Sequence, residues 1–177
     1  NEDSLAFHEA FADIVALFQH FSLQDVVRSQ IAKTRGDLKT NNLLGQLAVQ
    51  FGQASGHYGA LRNYITTQEG EEKWVLLQKT TEVHDRGAIL VAAVFDAFLN
   101  IYAHRTADLV RIASEGSGIL RPGELHPDLV NRLADEASKA AGHVLNICIR
   151  ALDYCPPIDI TFGEYLQAII TADCDLV

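Results

Sequence analysis

The segment Gly87 to His104, GAILVAAVFDAFLNIYAH, constrains this chain more than any other. It is longer than an ordinary strand, and its middle holds alanines (Ala92, Ala93, Ala97) rather than a run of β-branched residues, so it reads as a helix buried on most of its circumference. Up to Tyr102 it carries Asp96 and Asn100 and falls short of the roughly 20 apolar residues of a membrane span, so no span is expected. Thr106 to Ala113 continues the helix after a bend. A buried helix needs amphipathic partners, and the rest of the chain supplies them.

Residues Leu5 to Phe21 place apolar side chains at 7, 11, 14, 18 and 21, which is helical spacing. Ser22 is positioned to cap a second helix, with Asp25 in its first turn and Gly36 beyond its end near Arg35. A weaker amphipathic helix is expected from Asn42 to Ala54, and a loop from His57 to Val83. After a loop from Gly116 to Gly123, Pro127 opens a helix that runs to about Tyr154 and stops before Pro156 and Pro157. Thr161, with Glu164 three residues on, forms a capping box for the last helix. The expected fold is all-α: a helical bundle around a buried central helix, in a single helical domain over residues 1–177.

Composition narrows the function. At 48% hydrophobic and 21% charged residues, the chain can build a packed core. The net charge of −9 disfavours both nucleic acid and a polybasic membrane contact. Three cysteines without zinc-finger spacing make a disulfide scaffold or a cysteine-based metal site unexpected. Cys148, in line with Leu145, Ile149 and Leu152, reads as a core residue, and Cys155 and Cys174 as structural thiols. The chain holds no Met and begins at Asn1, and with no visible leader it reads as an excerpt of a longer protein, trimmed at both ends.

Glu9 and Asp13, four residues apart, stand on one helix face about 6 Å apart along the axis. Like charges at this spacing repel. A metal, a Lys or Arg, or a protonated His alongside would remove the penalty, and so would simple exposure to water. His8–Glu9 does not open an HExxH zinc helix, because position 12 is Ala12.

The string LAFHEAFADIVALFQHF resembles the helix that follows the HExxH helix in thermolysin-like zinc peptidases, the gluzincins. GALRNY (59–64) is similar to the segment holding that family's substrate-gripping Arg, and EVHDRGAILVAAVF to the start of its central helix, in fungalysin-type members as well. The end of the chain, from Pro156 on, resembles the family's last helices. The resemblance implies Glu9 as third zinc ligand, Asp13 as the carboxylate bracing a zinc-bound histidine, Arg62 as donor to the peptide carbonyl and His84 as donor to the tetrahedral oxyanion. The family's orienting Asp, five residues before that His, is Lys79 here, which leaves Glu82 or Asp85 as substitutes.

On this reading the chain is the C-terminal part of a zinc-dependent metalloendopeptidase acting on a peptide or protein substrate. Its HExxH lies in a missing N-terminal catalytic half. The part alone is expected to be inactive and not to bind zinc tightly, and its uncovered cleft wall leaves it open to homo-oligomerisation. The alternatives are a pseudo-peptidase and a helical peptide- or protein-interaction module without catalysis. Secreted and cytoplasmic locations both remain compatible with the sequence.

Overall fold

The computed structural model describes residues 2–38 and 79–176. Those residues form five α-helices and no strand: α1 (Glu2–Gln19), α2 (Gln24–Thr34), α3 (Val83–Ala113), α4 (Pro127–Arg150) and α5 (Phe162–Leu176). Single 3₁₀ turns, His20–Ser22 and Ala151–Tyr154, follow α1 and α4. The all-α expectation holds. The helix expected over Asn42–Ala54 lies outside the described residues.

Helix α3 is the central element, packed on α1 and α4, while α4 also takes α2 and α5. It is one helix of 31 residues, and the expected continuation through Thr106–Ala113 is part of it. Arg105 Nε donates to Glu136 Oε2 on α4 at 2.9 Å, and Thr106 Oγ1 donates back to Tyr102 O at 2.8 Å. Length therefore does not exclude a span as the sequence reading held: by length and composition α3 could cross a membrane. Of its most apolar window, 56% is buried inside the fold, as in the core helix of a bundle.

Helices α1 and α3 run side by side in the same sense. Ala6 and Ala10 meet Gly87 near their starts, and Phe18 meets Phe95 and Phe98 further along. A Cβ at Gly87 would stand 3.1 Å from Ala6 O, so glycine, a poor helix former, is what allows the two backbones to approach this closely. Gly87→Val should cost about 1–3 kcal/mol by overpacking, seen as a lower denaturation midpoint. Beyond the glycine the seam becomes aromatic, with Phe21 and Phe98 ring centroids 4.8 Å apart and Phe95 and Phe98 5.3 Å apart. On α4 the stripe Ala134, Ala137, Ala140 and Ala141 is fully buried, its small side chains letting neighbouring helices lie close.

Local signals are realised unevenly. The Thr161 capping box forms, with Thr161 N donating to Glu164 Oε2 at 2.9 Å and Glu164 N to Thr161 Oγ1 at 3.2 Å. Pro127 occupies the first turn of α4, and His126 Nδ1 caps it. Ser22 does not cap α2: its hydroxyl donates to Gln19 O at 2.7 Å, closing the 3₁₀ turn, and the N-cap position falls to Leu23 without a side-chain bond. At the far end of α2, Arg35 adopts the left-handed conformation and Gly36 N bonds Ile31 O at 2.9 Å.

Candidate functional site

Glu9 sits in the middle of α1 and His84 in the first turn of α3. Because the two helices run in parallel and are drawn together at Gly87, the two side chains meet: His84 Nδ1 contacts Glu9 Oε2, and each side chain is 43% exposed. Of the partners the sequence offered for the acidic pair, the described structure supplies an imidazole. A contact this exposed adds at most about 1 kcal/mol of stability. A carboxylate accepts hydrogen bonds on two oxygens, and contact through Oε2 does not exhaust Glu9.

Asp13 lies one turn beyond Glu9 on α1 and is half-buried. Glu82, expected to orient His84, is the N-cap of α3, its Oε2 accepting Asp85 N–H at 2.8 Å. Capping satisfies one of the donors a helix start leaves unpaired. His84 Nδ1 meets the carboxylate of Glu9. Arg62 lies outside the described residues.

Zinc sites need about four ligands. Among the described residues no three His, Cys, Asp or Glu side chains converge into a metal-holding group. The described residues by themselves do not make up a zinc site.

A second feature was not read from the sequence. Arg86 Nε donates to Asp3 Oδ1 at 3.1 Å, Nη2 joins the same ion pair, and Nη1 donates to Thr80 O at 2.7 Å. Asp3 Oδ2 accepts Phe162 N–H at 3.2 Å, and the Arg86 guanidinium lies 5.9 Å from the Phe162 ring centroid. Ser4 Oγ adds a bond to Ile160 O at 3.1 Å. The first turns of α1, α3 and α5 are thus gathered around one partly buried guanidinium. The partners are 83 and 76 positions from Arg86 in sequence, and no local pattern announces them.

On another side of α3 an apolar groove of about 290 Å³ opens between α3, α4 and α5, with Ala93, Ala97, Val144, Ile147, Leu166 and Ile170 on its walls. Cys148 borders it, a core residue as expected, its thiol pushed up to about 11 by burial and its carbonyl accepting from Tyr165 Oη at 3.0 Å. A thiol so raised is inert at neutral pH. Cys174, expected to be structural, is exposed. No protein-family model, curated protein or solved structure matches the chain.

Proposed function

We propose that this chain supplies the third zinc ligand, Glu9, and the oxyanion-stabilising histidine, His84, to a zinc metalloendopeptidase of thermolysin-like type. The observation that carries the reading is the meeting of Glu9 and His84. They are 75 positions apart, each was assigned its role from a different motif, and the fold sets them in contact. That reading would have failed had α1 turned Glu9 away from α3.

Bound zinc would polarise the scissile carbonyl and lower the pKa of a coordinated water. Glu9 would hold the metal with one carboxylate oxygen, and Asp13 would brace a zinc-bound imidazole from the next turn. His84 would donate a hydrogen bond to the oxyanion as the carbonyl becomes tetrahedral. Arg62 would grip the substrate backbone, and two HExxH histidines, from outside this sequence, would complete the zinc ligands.

Two measurements test the proposal. Zinc titrated calorimetrically into the 177-residue chain should show no tight one-to-one site; sub-micromolar binding would contradict the incomplete ligand set. The intact protein should cleave a peptide in a zinc-dependent manner, and Glu9→Gln should lose both zinc and cleavage. An intact protein without an HExxH pair, or without cleavage when zinc-loaded, would sink the reading. The apolar groove between α3, α4 and α5 favours a second one, a helical module that binds peptide without cutting it. Peptide binding without hydrolysis in the same assay would support it.

A further inference from the structure

We propose that Arg86, clamped by Asp3, is the positioning residue that holds His84 against Glu9. The claim that this clamp matters to catalysis rests on the zinc-peptidase reading; the claim that it sets the contact does not.

The pair cannot hold its own register. Glu9 and His84 are each 43% exposed, and two flexible side chains in water gain little from meeting. The rigid elements lie on either side of His84. Two residues on, Arg86 is 13% exposed and Asp3, its partner on α1, 19% exposed. The planar guanidinium uses separate edges for separate tasks: Nε and Nη2 face the Asp3 carboxylate, and Nη1 reaches back to Thr80 O at 2.7 Å. That last bond closes the segment from Thr80 to Arg86 on itself, with His84 inside it. Asp3 is fixed in turn by Phe162 N–H at 3.2 Å, so the clamp is anchored on α5 as well as α1. Gly87 follows at once and sets the distance between the two backbones.

Geometry makes the position sensitive. Successive residues on a helix are about 100° apart around the axis, so a small rotation of the first turn of α3 carries the imidazole off Glu9. Capping by Glu82 secures the backbone of that turn, but not its rotation relative to α1. Arg86 is the side chain of that turn that reaches both α1 and the approach to α3. A reacting group displaced by about 1 Å can cost as much as 10²-fold in rate, although Arg86 itself touches neither metal nor substrate.

The test uses the intact protein with Arg86→Met, which keeps the apolar stem over Phe162, and Asp3→Asn, which keeps an oxygen for Phe162 N–H. Nuclear Overhauser contacts between the His84 ring and the Glu9 methylenes should disappear in both variants while circular dichroism retains the helical content. In the zinc-loaded enzyme kcat should fall on the order of tenfold to a hundredfold, with KM and zinc content little changed. Retained Overhauser contacts would overturn the proposal, as would a lower melting temperature with kcat intact, since that is what a merely structural bridge gives. Should the unmutated protein cleave nothing, the zinc reading falls, and the Overhauser contacts alone decide whether Arg86 positions His84.

Discussion

Replacing His84 with Ala in the intact, zinc-loaded protein is expected to lower kcat for peptide cleavage by about 10²- to 10³-fold, the usual loss for one oxyanion donor. Zinc content should not change, because Glu9 remains. KM should move little, since on the proposed reading the oxyanion that His84 would stabilise exists only in the transition state, so that the loss falls on kcat. His84 Nδ1 is the nitrogen turned to the Glu9 carboxylate, so donation to substrate would come from Nε2. His84→Gln, which keeps one amide donor in place of the ring N–H, should retain more activity than Ala and less than the native residue. Near-native turnover in His84→Ala would remove the oxyanion role, whatever became of Glu9.

The same pair shows which parts of the structure could be read from the sequence. Local signals carried well where the interacting groups are neighbours in the chain. The Thr161–Glu164 box and the Pro127 start need only a few residues to form. The central helix was legible from its own composition, since a long, Ala-rich apolar segment has few other uses. One local signal lost to another: Ser22 looks like a cap but donates to Gln19 O and closes a 3₁₀ turn. The site itself was only half legible. Spacing alone marked Glu9 and Asp13 as a repelling pair that a metal, a Lys or Arg, or a protonated His could relieve; that His84 stands against Glu9 became visible only in the fold, because periodicity cannot pair positions 9 and 84. Arg86 and Asp3 carried no motif at all, and a guanidinium bonded to Asp3 and to Thr80 O beside the Phe162 ring becomes visible only once those stretches are packed.

The second large effect should appear in the aromatic seam between α1 and α3. Phe98 has 0% exposure and contacts Phe18, Phe21, Phe95 and Tyr102. Phe98→Ala removes the ring from the middle of that cluster and is expected to cost about 3–5 kcal/mol in lost burial and residual cavity. Domains of this kind are stable by only about 5–15 kcal/mol, so the denaturation midpoint should fall by a large fraction, with an unchanged m-value if the transition stays two-state. Leu166→Ala, at a position 58% exposed on α5, should stay within about 0.5 kcal/mol. Distance separates this effect from the site. Phe98 lies 14 residues beyond His84 on the same helix, about 21 Å along its axis, and the first turn of α3 is fixed independently by Gly87 and Arg86. Phe98→Ala should therefore lower stability while the Overhauser contacts between His84 and Glu9 persist in the molecules that remain folded. If those contacts vanish along with the stability, the register of the pair depends on the whole length of the α1–α3 seam, and the clamp at its start is not sufficient to hold it.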